Sequence, residues 1–119
     1  MMAAQVAKGF DPSGTQDAVE SAVNVLKVLS HVGRLQILCH LLDGDLNVGA
    51  LSLAVGEPQA TVSQQLMRLR AQGFVRATRQ GKQVVYGIAD PRVIPVIDAL
   101  RHSFCAGLGS EVSTGGGMG

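Results

Sequence analysis

The chain has 119 residues and a formal net charge of +1, which allows one modest domain and gives no overall charge signal for a partner. It has no tryptophan and a single tyrosine, so a core must come from Leu, Val, Ile and Ala, as in a mainly helical protein. No apolar run reaches the roughly 20 residues that span a bilayer, and the amino end lacks a basic start before an apolar stretch. These features favour a cytoplasmic protein without a membrane helix or secretory signal.

Three segments are predicted along the chain. Residues 1–12 show no periodicity and are expected to be flexible. Residues 106–119 are rich in Gly, Ser and Thr, cannot form a core, and are expected to be a disordered tail. Residues 13–105 between them form the predicted domain.

The first half of this domain is predicted to contain three helices. Ser13 and Gln16 have the spacing of a capping box for the first helix, whose apolar residues cover a wide arc. Such breadth fits either a contact with a second subunit or a purely internal core. Ser30 is expected to cap a second helix that stops near Gly44, and Asn47 is expected to cap a short third helix.

A turn and a longer fourth helix follow. Pro58 suits the first position of this helix, and Gly73 suits the left-handed position just past its end. Val62, Leu66 and Leu69 form one apolar stripe, and the opposite side offers Gln, Thr and Ser, which can hydrogen-bond base edges in a major groove. The short third helix, the turn and the longer fourth helix follow one another in the order of a helix-turn-helix. The DNA contacts predicted from the fourth helix are Gln59, Thr61, Ser63, Gln64 and Arg68.

Two segments rich in β-branched and aromatic residues, 74–79 and 83–88, are separated by a turn with Gly and predict a β-hairpin. Between residues 59 and 89 the chain has no acidic residue but carries half of its Lys and Arg side chains. A solvated charged face is the simpler explanation of such a run. Because this run coincides with the helix-turn-helix and the hairpin, we interpret it as a phosphate-binding surface, with Arg79 and Lys82 at the tip of a wing.

The last predicted helix begins between Val93 and Pro95, because Pro95 cannot supply an N–H inside an established helix. Little of its own domain remains for this helix to cover, so we expect it to pair with a second subunit. The predicted fold is mainly α with a β-hairpin wing: a dimeric winged helix-turn-helix with four helices, two strands and a fifth helix.

Residues 30–38 and 62–70, followed by Gly73 and the hairpin, resemble the ArsR/SmtB family of bacterial repressors. The resemblance covers roughly residues 15–105. It implies a homodimer that binds double-stranded operator DNA and is released by an inducer. The chain has no nucleotide-binding loop, catalytic triad or carboxylate pair suited to hydrolysis, so we do not expect an enzyme.

The metal sites of this family are incomplete in the chain. The third helix lacks the Cys-x-Cys pair of many metal-sensing members. The last helix offers Asp98 and His102 but no second histidine at ligand spacing. We therefore expect no metal and no other cofactor.

Two cysteines remain, Cys39 in the second helix and Cys105 at the end of the last. The residues alone leave reactive thiols, metal ligands and inert core positions open. Their positions look like those of the two thiols in the persulfide-sensing SqrR/BigR/HlyU-type branch of the family. This resemblance implies that Cys39 and Cys105 come close, and that reactive sulfur species join them by a disulfide or polysulfide bridge, which releases the DNA.

Other functions use the same residues. The same two cysteines suit a metal- or peroxide-responsive repressor, and a winged helix can bind protein instead of DNA. The polar fourth helix and the acid-free basic run argue against protein binding, and the absence of Cys-x-x-Cys argues against a thiol oxidoreductase. His40 and His102 are the cationic neighbours of the thiols that the sequence suggests.

Overall fold

The computed structural model describes residues 12–105, with side chains from residue 15 to residue 104. The predicted flexible segment 1–12 and tail 106–119 lie outside the described residues, apart from Pro12. The elements in chain order are α1 (Pro12–Leu29), α2 (Val32–Leu41), β1 (Leu46–Asn47), α3 (Val48–Val55), α4 (Gln59–Ala71), β2 (Val75–Gln80), β3 (Gln83–Ile88) and α5 (Val93–Leu100), which continues into a π-helical segment, Arg101–Cys105. None of these helices is both long and apolar enough to cross a membrane.

The starts of the first two helices differ from the prediction. α1 begins at Pro12, one residue before the predicted cap Ser13. Ser30 does not cap α2, because its hydroxyl donates a 2.7 Å hydrogen bond to the carbonyl of Lys27 in the last turn of α1. The extended residue before α2 is His31, which makes no side-chain capping bond. A short hydroxyl side chain between two helices can serve either one, and here it satisfies a carbonyl at the end of the first.

The ends of α3 and α4 follow the predicted chemistry more closely. The Oδ1 atom of Asn47 accepts a 2.7 Å hydrogen bond from an amide in the first turn of α3, which confirms this cap. Pro58 lies just before α4 instead of at its first position. Gly73 has a φ of 82°, and the amide of Phe74 donates to the carbonyl of Leu69 at 2.9 Å, so a left-handed glycine terminates the helix as predicted.

The β-sheet has one strand more than the sequence predicted. It is antiparallel in the order β1-β3-β2, with Gln80 paired to Gln83 across a two-residue turn whose Gly81 has a φ of 65°. β1 pairs Leu46 with Tyr86 and thereby ties the entry of α3 to the base of the hairpin. Two residues are too few to produce a periodic pattern, and this is why the sequence did not reveal β1.

The core lies where α2 meets α3, α4 and α5. The apolar stripe predicted on α4 is confirmed, and α5 begins at Val93, within the predicted range. The fully buried side chains are Ile37, Leu38, Leu51, Val62, Leu66, Leu69, Val93 and Ile97. Since α2 contributes to contacts with both α4 and α5, it is the element through which these two helices are joined.

Candidate DNA-binding face and thiol site

The exposed side of α4 carries most of the side chains that the sequence proposed for base contacts. Gln59, Thr61, Gln64 and Arg68 are exposed, whereas Ser63 is half-buried. Ser63 lies about 90° around the helix from the centre of the buried stripe, so it belongs to the flank and not to the outer face. Of the predicted contacts, Ser63 is therefore the least accessible to a base edge.

The basic side chains on α4 and at the hairpin tip are exposed and make no ion pair with the acidic residues that the structure describes. In the region with described side chains, no ion pair forms on Arg68, Arg70, Arg79 or Lys82, and all four are exposed. Arg76, in the same basic run, differs because it pairs with Asp45 at 3.0 Å and donates to the carbonyl of Ile88 at 2.7 Å. The sequence analysis included Arg76 in the basic run between residues 59 and 89. The structure separates it as a side chain that ties β2 to the loop before β1.

α2 and the flank of α4 that faces it each contain a buried polar atom that the sequence analysis did not single out. Arg34 is buried, and its Nε atom has no hydrogen-bond partner within the described residues. The same holds for the buried Oε1 atom of Gln65. Gly33 lies beside this glutamine, since a Cβ atom at Gly33 would be in ordinary van der Waals contact with the Gln65 Nε2 atom, at 3.6 Å.

Cys39 lies on α2, half-buried at the margin of the core. Arg101, where α5 passes into the π-helical segment, comes close to the same part of α2. Its Nη1 atom donates to both carboxylate oxygens of Asp43, at 3.0 and 3.2 Å, and its Nη2 atom lies 3.5 Å from Oδ1 of Asp98. The hydrogen bond with Asp43 is the main reason that the pKa of Arg101 is raised, and the charges of Asp43, Asp98 and Cys39 act in the same direction.

Arg101 is the functional candidate that the sequence missed. The sequence pointed instead to His40 and His102, which are both exposed. Arg101 and Cys39 are far apart in the chain, and no local pattern connects them. Only the packing of α5 on α2 brings them into electrostatic range.

The second predicted sensing residue, Cys105, is the last residue of the π-helical segment, and its side chain lies outside the described part of the structure. The pairing of Cys39 with Cys105 therefore stays a prediction. Within residues 15–104, no three His, Cys, Asp or Glu side chains are grouped so that they could hold a metal ion.

Comparison with known proteins decides the family. The sequence profile described as "Bacterial regulatory protein, arsR family" matches residues 31–77. The "Biofilm growth-associated repressor" of Xylella fastidiosa (strain 9a5c) is 41% identical over 83 residues, which make up 70% of this chain and 73% of that protein. The chain belongs to the ArsR family.

Solved structures of similar proteins agree with this membership of the ArsR family. Reduced HlyU from Vibrio cholerae N16961 superposes with a TM-score of 0.72 at 35% identity, covering 77% of this chain and 97% of that one. The homodimeric winged helix-turn-helix DNA-binding domain of a possible ArsR-family regulator from Mycobacterium bovis gives a TM-score of 0.64 at 29% identity, covering 80% and 87%. The predicted winged helix-turn-helix fold is confirmed, and this ArsR-family chain is a transcriptional regulator and not an enzyme.

Proposed function

We propose that this chain is a homodimeric repressor that binds operator DNA while its thiols are reduced and releases it when a persulfide or polysulfide bridges Cys39 and Cys105. The observation that carries the proposal is the position of α2. This helix packs against the DNA-facing α4 on one side and, next to Cys39, against the α5 segment that leads to Cys105.

The DNA-binding part rests on the exposed face of α4 and the hairpin tip. Gln59, Thr61 and Gln64 provide hydrogen-bonding groups near the amino end of α4, where a recognition helix meets base edges. Arg68, Arg70, Arg79 and Lys82 have no acidic partner among residues 15–104, so their charges are available to phosphates. Each phosphate contact lowers the slope of log affinity against log salt by about 0.9.

The dimer is supported by apolar side chains that α1 and α5 leave exposed. Val19, Val23 and Leu26 on α1 are 51%, 41% and 57% exposed, which is unusual for three apolar residues on one helix of a small domain. An open groove of about 570 Å³ between α1 and α5 is lined mainly by apolar atoms, with Leu26 and Val96 among its walls. A second copy that covers these faces would place two recognition helices about 34 Å apart, one turn of DNA.

The path of α5 supports the proposed pairing of the thiols. Near its start, Ile94 shares a small cavity with Leu42 and Gly44, just past the end of α2. Further along, Arg101 meets Asp43 and acts electrostatically on Cys39, which lies earlier on α2. Both contacts of α5 thus lie at the carboxyl end of α2, and one further helical turn leads from Arg101 to Cys105.

The proposed chemistry is two thiol exchange steps. The Cys39 thiolate attacks the outer sulfur of a persulfide, R–S–SH, which gives a Cys39 persulfide and releases R–SH after proton transfer. The Cys105 thiolate then attacks the inner sulfur of this adduct, which forms the Cys39–Cys105 disulfide and releases hydrosulfide. Two cysteines lose two electrons, and the persulfide accepts them. A longer polysulfide bridge retains sulfur from further persulfide molecules.

The bridge would act on DNA binding through a change in conformational populations. It joins α2, which packs against α4, to the end of α5, which lies at the proposed dimer contact. To weaken DNA binding a hundredfold, the bridge must favour the non-binding arrangement by only about 2.7 kcal/mol. Such a preference is small compared with the packing energy of either helix, so modest distortion at the junction is sufficient.

The test is fluorescence-anisotropy binding of the reduced protein to its own upstream DNA, repeated after glutathione persulfide, peroxide and zinc, with intact mass recorded each time. The chain has two cysteines, so the mass identifies the bridge without ambiguity. We expect release only by persulfide, with the mass of a Cys39–Cys105 bridge, and no release for Cys39→Ser or Cys105→Ser.

Other outcomes point to other functions. If peroxide releases the DNA and a sulfenic acid is found, the inducer is an oxidant. If stoichiometric zinc releases the DNA, the inducer is a metal. In both cases the chain is still a repressor. Absence of DNA binding under every condition contradicts the repressor itself.

A further inference from the structure

An ionic cluster joins the end of α2 to the end of α5 beside Cys39. The amide of Asp43 still donates to the carbonyl of His40, so the helical turn continues past the last residue of α2. Cys39 and Asp43 are four residues apart on this turn, and side chains at that spacing are neighbours on a helix surface. The guanidinium of Arg101, which holds Asp43 at 3.0 Å, is therefore placed next to the position of the thiol.

The electrostatics of the cluster agree with this placement. The negative charge of Cys39 is one of the causes that raise the pKa of Arg101, after the hydrogen bond and charge of Asp43 and the charge of Asp98. Coulomb interactions are reciprocal, so a thiolate that favours the guanidinium charge is itself favoured by the guanidinium. A nearby arginine is one of the recognised causes of an acidic, nucleophilic cysteine.

We propose that Arg101 is a positioning residue for the sensing reaction: anchored by Asp43 and Asp98, it keeps a fraction of Cys39 in the thiolate form that attacks sulfur. The inference rests on the proposed function in one respect, that Cys39 is the attacking thiol. The two carboxylates share the guanidinium charge with the thiolate.

Other titratable groups around this part of α2 act differently. His40 follows Cys39 on α2, His102 follows Arg101, and Lys27 lies near the end of α1, all exposed. An arginine stays charged over the whole working range of pH. The charge of Arg101 is therefore constant across the pH range in which Cys39 is tested.

The test measures the reactivity of Cys39 by itself. In a Cys105→Ser background Cys39 is the sole cysteine, and its alkylation by iodoacetamide is followed from about pH 5.5 to about pH 9.5. We expect Arg101→Gln to lower the alkylation rate at pH 7 by about fivefold and to move the half-maximal pH upward, with the plateau at high pH unchanged. Arg101→Lys keeps the positive charge but lacks the planar guanidinium group, so it should recover part of the alkylation rate that Arg101→Gln loses.

Arg76→Gln is the matched control, because it breaks another Arg–Asp ion pair of 3.0 Å on a half-exposed arginine. It should leave the alkylation profile in place, as should His40→Gln and His102→Gln. An Arg101→Gln profile that superimposes on the background overturns the inference. So does a lower plateau without a shift along the pH axis, because that result indicates changed access to the thiol.

The alkylation experiment uses neither DNA nor persulfide, so its result is separate from that of the anisotropy test. A shifted profile in a protein that persulfide does not release from DNA leaves the Arg101 inference standing and rejects the sulfur sensor. An unshifted profile in a protein that persulfide does release from DNA rejects the Arg101 inference and leaves the sulfur sensor standing.

Discussion

Two groups of arginines in this chain differ in what they are paired with. On α4 and the hairpin, Arg68 and Arg79 are exposed and have no ion pair within the described residues, whereas near the loop before β1 and on α5 the guanidinium groups of Arg76, Arg92 and Arg101 each meet an aspartate at 2.8–3.0 Å. The first group leaves a positive surface open to an outside anion. In the second group, Arg76 and Arg101 each fix one part of the fold to another, and Arg92 pairs with Asp90 inside the loop before α5.

This difference shows why a count of basic residues is a poor guide to a DNA-binding surface. An arginine whose charge is already compensated by a neighbouring carboxylate has little to gain from a phosphate. An uncompensated one displaces counterions from DNA and contributes to affinity. Which arginine is which depends on aspartates far away in sequence, such as Asp45 for Arg76.

The largest effect is expected from removing charge on the uncompensated side. The double variant Arg79→Gln/Lys82→Gln should weaken binding of all DNA sequences by about ten- to a hundredfold near physiological salt, because two phosphate contacts per subunit are lost. The measurement is anisotropy across a salt series, in which the slope becomes shallower by about 1.8 for each subunit. An unchanged salt slope would show that the wing does not contact the DNA phosphates.

The next effect concerns base selectivity on the same surface. Gln64→Ala should reduce the preference for operator over scrambled duplex by about 1–3 kcal/mol while leaving the salt slope intact. Ser63→Ala should have a smaller effect, because Ser63 is half-buried on the flank of α4. Competition between the two duplexes measures both. Gln72→Ala, at the exposed carboxyl end of the helix, is the control.

A smaller effect is expected on the compensated side. Arg76→Gln should leave the salt slope of DNA binding unchanged and lower the free energy of unfolding by about 0.2–1 kcal/mol, the usual range for a half-exposed ion pair. Asp45→Asn should cost a similar amount. The double variant should cost less than the sum, which a urea titration of all four proteins shows. A shallower salt slope in Arg76→Gln would contradict the division into two groups.

The smallest effect is the pH dependence of the Asp90–Arg92 pair. The hydrogen bond from Arg92 lowers the pKa of Asp90 below its ordinary value of 3.8. Because the folded pKa is the lower one, the pair stabilises the fold above pH 3.8 and the contribution is lost as pH falls below that value. In Asp90→Asn the thermal midpoint should decline slightly less between neutral and strongly acidic pH. If the thermal midpoint falls equally with pH in both proteins, the Asp90–Arg92 pair has no role in acid stability.

Local patterns were sufficient to predict much of the backbone structure of α4 and the hairpin. The stripe of α4, its glycine stop at Gly73 and the two-residue hairpin turn all arise from neighbours in sequence, and the structure confirms them. β1 was missed because its two residues are defined only by their partners on β3. The Ser30 cap was wrong because the hydroxyl had an equally close acceptor in the preceding helix.

The thiol site was less accessible to sequence reasoning. Cys39 could be placed at the margin of a helix face from the helical period alone. Its neighbour Arg101 and the carboxylate of Asp43 could not be identified, since they depend on how α5 lies against α2. The sequence-based choice of His40 and His102 as cationic neighbours considered only adjacent positions in the chain.

The buried polar atoms of Arg34 and Gln65 give the boundary between α2 and α4 an unusual property. Sliding one ordinary helix past another breaks favourable polar contacts, but here the Arg34 Nε and Gln65 Oε1 atoms have none to lose among the described residues. A shift of α4 that supplies either atom with a partner gains a hydrogen bond, worth about 0.5–1.5 kcal/mol. The apolar core between α2 and α4 holds the two helices together, and these two atoms are the polar groups whose hydrogen bonding a shift between the helices can improve.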